Sequence, residues 1–250
     1  MSLVVARNEL RRIFLTPLAW VLLAAILGVL GYFFLLSLGA FLTLMPKIAG
    51  MADAPGVTDL VVLPLLRATA SLLLIVAPLL GMRAIASDRQ NGSLTLLLAA
   101  GVGDARIVIG KFIGLLAFAI VFILLATAMA LSLDIGTSLD LGRIGAAMFG
   151  LILFAAALIA IAVATSSMTQ SAPLAASVAL IVNLLLWMLD EGARYEGVSS
   201  TFVNYLALPT HLEPFLHGIV ASVDTMYFLL IVVVALALAA RRVSALRTRG

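Results

Sequence analysis

Residues 18–45 read LAWVLLAAILGVLGYFFLLSLGAFLTLM and contain no charged side chain. A helix needs about 20 predominantly apolar residues to cross the roughly 30 Å hydrocarbon core of a bilayer. The stretch is long enough to do this, too long for the apolar core of a signal peptide, and followed by no convincing cleavage site. We therefore predict that it is a retained membrane-spanning helix.

Five further segments are similarly apolar, although residues 60–82 contain one charged residue, Arg67, near their start. The predicted fold class is therefore an all-α integral membrane protein with six transmembrane helices. The chain is 64% hydrophobic and 11% charged, whereas a typical soluble domain has about 25% charged residues. The short alternating segments of a β-barrel are absent from the sequence. The sixth span is short, so it either begins before Asp224 or meets a thinned bilayer. The predicted spans are 18–45, 60–82, 112–133, 144–164, 173–189 and 225–240.

The Lys and Arg residues are distributed unequally between the two sides that six spans define. With the N-terminus inside, eleven of them fall on the inner side and four on the outer side. An excess of Lys and Arg marks the cytoplasmic side of a membrane protein. Both termini are therefore predicted to be cytoplasmic, and the net charge of +3 reflects topology, not a nucleic-acid partner.

The chain is predicted to be a single transmembrane domain, residues 1–250, with three notable segments outside the spans. Residues 1–17 carry apolar side chains at helical spacing, which predicts an amphipathic helix in the inner membrane interface; the alternative is a basic anchor that only sets orientation. Residues 83–106 form a charged, glycine-containing cytoplasmic segment. Residues 190–224 form an outer loop in which we expect short interfacial or re-entrant helices. The charged residues assigned to the N-terminal interface helix are Arg7, Glu9, Arg11 and Arg12.

The residues offer no catalytic group and no metal site. The run GDARIVIGK at 103–111 lacks the spacing and the Lys-Ser/Thr pair of a nucleotide-binding loop. The chain has no cysteine, and His211 and His217, which flank Glu213, are too few for a zinc site and are expected to be ordinary polar residues on the outer side. No ionisable residue is expected deep in a span, where ion-driven carriers place theirs. Any transport is therefore expected to draw its energy from another subunit.

Residues 82–114, MRAIASDRQNGSLTLLLAAGVGDARIVIGKFIG, resemble the cytoplasmic segment of type-2 ABC-transporter permeases. The family pattern is an acidic-basic pair, a glycine, a Ser/Thr-Leu run, a turn, and a Gly-Lys pair that opens the next helix. Residues 6–34 and 205–228 are similar to the two ends of the gliding-motility-associated branch of that family. Thr95 departs from the pattern, because a Glu often stands there. The matching residues are Asp88-Arg89, Gly92, Ser93-Leu94 with Leu97, Gly101 and Gly110-Lys111.

The resemblance implies a division of labour between subunits of an export system in the bacterial inner membrane. Two permease chains, identical or paralogous, would form the path and would not be enzymes. Separate ATPase subunits would bind ATP and Mg²⁺, so this chain itself would bind no cofactor. Residues 83–106 would contain a coupling helix that docks on the ATPase. The docking residues implied are Asp88, Arg89, Gly92, Ser93, Leu94, Leu97 and Leu98.

Two alternatives stay open. The 83–106 segment can instead form an interfacial loop helix that touches only lipid. The whole chain can be a non-transport scaffold that anchors a motility or secretion assembly. An auxiliary membrane subunit is a further candidate partner, besides the bilayer, and no sequence feature selects a substrate among lipids, glycans, peptides and haem-like molecules.

Overall fold

A computed structural model of the chain describes residues 2–48, 56–94, 103–137, 139–196 and 205–247. These ranges are helical almost throughout and contain no strand, as the sequence predicts. A π-helical turn, Thr58–Val62, precedes α3, and a 3₁₀ turn, Ser132–Ile135, follows α5. The α-helices are α1 (Ser2–Leu15), α2 (Pro17–Ile48), α3 (Leu63–Gly81), α4 (Ala86–Gln90), α5 (Asp104–Leu131), α6 (Leu141–Met168), α7 (Ala172–Glu196), α8 (Leu208–Leu216) and α9 (Ser222–Arg247).

Among the described residues, six helical segments are long and apolar enough to cross a membrane, which agrees with the predicted number of spans. Over an apolar stretch of 18 residues in each segment, 61–72% of the residues are buried inside the chain for α3, α5 and α6, but only 11–22% for α2, α7 and α9. The first three therefore form an inner group, and the other three leave most of their apolar surface for lipid. The candidate spans are Ala19–Lys47, Thr58–Gln90, Asp104–Asp134, Leu141–Met168, Ala172–Leu189 and Ser222–Arg247.

Helix α6 lies at the centre of the bundle and contacts α3, α5, α7, α8 and α9. Its buried face is rich in alanine, with Ala155, Ala157 and Ala160 fully buried. Small residues let neighbouring helix backbones approach closely, and in lipid this van der Waals contact replaces the hydrophobic effect as a source of helix association. The bundle therefore depends on close packing against α6.

Three helix boundaries are the most informative departures from the predicted spans. Helix α9 begins at Ser222, so the sixth span is long enough because it starts before Asp224, the first of the two alternatives. Helix α7 continues past the fifth predicted span to Glu196. Helix α5 begins at Asp104, which places Gly110 and Lys111 in its second turn and not at its opening. Gly103, in extended conformation, and the acidic side chain of Asp104 favour the earlier start.

Helix α1 packs lengthwise against α5. Ala6, Leu10, Ile13 and Phe14 face the bundle, and the ring of Phe14 lies 5.4 Å from that of Phe118 in α5. The chain breaks between α1 and α2 at Thr16, where the hydroxyl donates to the Ile13 carbonyl and Pro17 opens the next helix. Helix α1 is thus held by protein contacts as well as by its amphipathic pattern.

Candidate functional site

Four charged side chains meet where α1, α4 and α5 come together. The Nζ atom of Lys111 lies 2.6 Å from Asp88 Oδ2 and 3.1 Å from Glu9 Oε2. The Arg12 guanidinium donates to Asp88 Oδ1 at 3.2 Å. The Lys111 side chain is only 2% exposed, whereas that of Arg12 is 44% exposed. We call Glu9, Arg12, Asp88 and Lys111 the charge cluster. Its two negative and two positive side chains give it no net charge.

The local sequence explains why these groups converge. Glu9 and Arg12 are three residues apart and so share one face of α1. Lys111 and Gly114 share a face of α5 in the same way, and α1 packs closely against Gly114. A Cβ atom at Gly114 would lie 2.9 Å from the Ala6 carbonyl oxygen and 2.9 Å from Glu9 Cβ. Only a residue without a side chain fits there, so Gly114 brings Glu9 within reach of Lys111.

The burial of the charge cluster has an energetic consequence. Removing a charge from water costs several kcal/mol, and the attraction between partners offsets this only when the ions are well paired. Lys111 satisfies both carboxylates at once, and no other described residue bonds Glu9. The loss of Lys111 would leave two buried carboxylates facing each other. The cluster is thus a firm link between α1, α4 and α5.

The turn between α3 and α4 is clamped to α6 by a single side chain. The Ser166 hydroxyl accepts from the backbone N–H groups of Ile85 at 3.1 Å and Ala86 at 3.0 Å, and donates to the Met82 carbonyl at 3.0 Å. These are groups at a helix end that have no partner within the helix. Residue Ser166 therefore fixes the entry into α4.

The residues predicted to dock an ATPase fall into three groups. Asp88 and Leu94 point into the chain, where Asp88 joins the charge cluster and Leu94 is 4% exposed. Arg89 is half-buried beside the Ser167 carbonyl, while Gly92 is exposed and Ser93 half-buried. Gly92 has φ +71°, a left-handed conformation that favours glycine. Leu97 and Leu98 lie outside the described residues.

The residues assigned to the N-terminal interface helix differ in their exposure. Arg7 and Arg11 are exposed, and Arg12 is exposed with one N–H bound to Asp88. Glu9 instead faces the bundle and is buried, because the lysine that balances it lies there. Sequence reasoning missed this inward carboxylate and its partner Lys111. The available signal was the position of Glu9 among the apolar residues of α1, between Ala6 and Ile13.

The C-terminal end of α9 lies beside the start of α5, on the side of the bundle that carries the charge cluster. Arg247 NH1 lies 3.6 Å from Asp104 Oδ1, close to the helix N-terminus that an acidic residue favours. Both described ends of the chain, α4 and the charge cluster therefore lie on one face of the bundle. We call it the terminal face.

The opposite face carries a second set of ion pairs. Arg67 of α3 donates twice to the Glu213 carboxylate of α8, at 2.9 and 2.7 Å. Arg143 of α6 pairs with Asp59 at 2.6 Å and approaches His217 Nδ1 at 3.2 Å. The Arg67 and Glu213 side chains are about half exposed, so that pair contributes only about 0.2–1 kcal/mol. These contacts hold α8 across the ends of α3 and α6.

His211, one of the two histidines expected to be ordinary polar residues, is buried and makes specific contacts. It is 3% exposed, and its ring lies against that of Tyr227 with centroids 3.9 Å apart. Its Nδ1 atom is 2.6 Å from Asp224 Oδ1, and its Nε2 atom is 2.9 Å from the Tyr205 carbonyl oxygen. The ring thereby ties α8 to the start of α9. Within the described ranges, no group of three or more His, Asp or Glu side chains is arranged to hold a metal ion.

Within the described residues, six apolar helices pack together and the ion pairs lie at the two faces of the bundle, which defines a multi-pass integral membrane protein. Residues 60–189, just over half of the chain, match the family described as ABC-2 family transporter protein. The chain belongs to this family, whose permeases are typically non-catalytic membrane components associated with ATPase subunits. The matched range includes Asp88 and Lys111 but not the α1 residues of the charge cluster. No curated protein matches the sequence.

Proposed function

We propose that the chain is the transmembrane permease subunit of an ATP-driven exporter in the bacterial inner membrane, coupled to separate ATPase subunits. A second permease chain completes the translocation path. Both termini are cytoplasmic in this proposal, supported by the excess of Lys and Arg on the terminal face. The similarity of residues 6–34 and 205–228 supports the gliding-motility-associated branch.

One observation carries the proposal: Lys111 binds Asp88 of α4 and Glu9 of α1 at the same time. A partner that pulls on α4 therefore also acts on α1 and on α5. The Ser166 contacts add α3 and α6 to the elements attached to this segment. A small displacement at the terminal face can in this way reach the inner spans, as mechanical coupling requires.

The accessible part of the segment is the surface proposed for docking. On the terminal face, Gly92 is exposed and Arg89 is half-buried, and arginine is a residue type enriched among those that dominate binding energy. Asp88 and Leu94, in contrast, hold the segment in place from inside. The predicted docking set is therefore divided in this proposal into contact residues and supporting residues.

Purification of the tagged full-length chain in mild detergent tests the partnership. We expect it to bring down a protein that is labelled by azido-ATP and carries a nucleotide-binding loop, because the chain has none of its own. The complex should hydrolyse Mg-ATP, and the chain alone should not. A purified chain that is well folded but has no ATP-labelled partner would favour the alternative of a non-transport scaffold.

The double variant Arg89→Ala, Gly92→Ala tests the docking surface. We expect the ATPase to bind about tenfold or more weakly, because a contact arginine is lost and the alanine that replaces Gly92 must adopt a left-handed conformation that costs about 1–2 kcal/mol. Insertion into the membrane should be normal, since a Cβ atom at Gly92 meets nothing within 4 Å. Titration of the labelled ATPase against the reconstituted chain measures the affinity. Arg241→Ala, an exposed arginine on α9, is the matched control, and equal affinities for the two variants would refute this surface.

A further inference from the structure

A partly open cavity of about 210 Å³ lies on the terminal face between α1, α2, α3 and α5. Its wall is mainly apolar and includes Ile13, Leu22, Leu80 and Leu115 from these four helices. This volume is far above the roughly 10–15 Å³ that a single water molecule needs. That suits the polar end of a membrane lipid and the first part of its chains, but not a whole lipid. We call it the α1 cavity.

The polar edge of the α1 cavity is formed by Arg12, Arg83 and Glu9. Arg83 is exposed and, within the described residues, forms no ion pair or hydrogen bond. Arg12 uses one N–H to bind Asp88, which leaves further N–H groups of its guanidinium for another acceptor. The Glu9 carboxylate is already bound by Lys111. The free charge at the edge is therefore positive.

The surroundings place the cavity at the boundary between lipid tails and headgroups. Leu79 of α3 lines the cavity and is 40% exposed, so the apolar wall is accessible from outside the chain. Trp20 of α2 is exposed, with its indole N–H bound to the Phe14 carbonyl; tryptophan is enriched at this depth in membrane proteins. The exposed Arg7 and Arg11 of α1 add to the positive potential nearby.

We propose that the α1 cavity binds one anionic glycerophospholipid, with its phosphate between Arg12 and Arg83 and its chains running out along α2 and α3. Basic pockets between transmembrane helices on the cytoplasmic side suit the headgroups of anionic lipids. The lipid would seal the gap between α1 and the bundle next to the charge cluster. The assignment to the cytoplasmic leaflet rests on the proposed orientation, whereas the site itself does not depend on an ATPase partner.

Photo-crosslinking of the full-length chain in nanodiscs tests the proposal. The probe is phosphatidylglycerol with a diazirine near the glycerol end of one chain, in a phosphatidylcholine background. We expect peptides that contain Leu22 or Leu80 to be labelled. Unlabelled phosphatidylglycerol should compete, and extra phosphatidylcholine should not. Millimolar inorganic phosphate should also fail to compete, because it lacks the acyl chains that the apolar wall binds.

Two variants make the test specific. Arg83→Gln should lower the labelling about fivefold, as expected for the loss of one basic residue near an anionic lipid. Leu22→Trp should also lower it, by filling the apolar part of the cavity. Arg7→Gln, an exposed α1 residue that does not line the cavity, is the control and should lower the labelling much less than Arg83→Gln does.

Several results would overturn the proposal. Equal competition by phosphatidylcholine would show a nonselective lipid contact, and competition by phosphate alone would show a free-anion site. Equal labelling of the Arg83→Gln and Arg7→Gln variants would show that the arginine edge does not select the lipid. Loss of the ATPase from purified complexes would contradict the proposed function but leave this result unaffected.

Discussion

Replacing Lys111 with methionine is expected to destabilise the folded chain by about 3–5 kcal/mol, the usual effect of removing one partner of a buried ion pair. Methionine fills a similar volume, so the effect comes from charge and not from a cavity. Glu9 would lose its described partner, and Asp88 would keep only the half-exposed Arg12. The melting temperature of the detergent-purified chain, followed by size-exclusion chromatography after heating, measures the change.

The chain supplies a matched control for this substitution. Lys47, its one other lysine, lies exposed near the end of α2, and Lys47→Met should leave the melting temperature nearly unchanged. The triple variant Lys111→Met, Glu9→Gln, Asp88→Asn should recover part of the loss, since neutral amides at these positions remove the repulsion. If the Lys111→Met and Lys47→Met variants have the same melting temperature, the charge cluster does not stabilise the fold.

The triple variant also separates stability from coupling. In the proposed function, the ion pairs transmit movement of α4 to α1 and α5. A neutral cluster that folds and binds the ATPase should therefore give less substrate-linked ATP hydrolysis than the wild type. Wild-type coupling in this variant would mean that backbone connections and Ser166 are sufficient to transmit the movement.

The six spans could be predicted because the bilayer imposes a minimum length on an apolar helix. Hydropathy is a local property, and each span carries enough of it to be recognised alone. Helix ends are less predictable, because a helix can continue beyond the hydrocarbon through polar residues. Helix α7 does this past Leu189 to Glu196, and α5 does so from Asp104 to Lys111.

The candidate site was predictable in position but not in arrangement. The resemblance to type-2 permeases selected the segment around Asp88 and Arg89 from a pattern of residues along the chain. The pairing of Asp88 with Lys111 and Glu9 depends on the approach of α1 to α5 at Gly114. Such an approach is a tertiary contact between residues about 100 positions apart, and no local pattern specifies it. Asp88 was therefore expected to face a partner, whereas it faces the inside of the chain.

A second large effect is expected at the crossing of α3 and α6, two of the inner helices. A Cβ atom added at Gly81 would clash with Ala162 Cβ and lie 3.2 Å from the Ala162 carbonyl carbon. The Ala162 backbone in α6 cannot move away as the end of a flexible side chain can. Gly81→Ala is therefore expected to destabilise the chain by about 1–3 kcal/mol through overpacking, although alanine favours a helix by about 1 kcal/mol over glycine. The melting temperature in detergent measures the net effect of the overpacking and of the helix propensity.

The partner residue provides the decisive comparison. Adding Ala162→Gly to Gly81→Ala removes the closest clash and should restore part of the lost stability, so the two substitutions should be non-additive in a double-mutant cycle. Gly39→Ala in α2, where an added Cβ meets nothing within 4 Å, should be neutral or slightly stabilising. Additive effects, or a Gly81→Ala variant as stable as Gly39→Ala, would show that α3 and α6 do not cross as closely as this.

The crossing lies one residue before Met82, whose carbonyl binds Ser166, so any separation of the helices there also loosens the entry into α4. Gly81 is thus expected to affect stability through packing between helices, whereas Gly92 is expected to act locally, through the left-handed backbone that it adopts at the proposed docking surface.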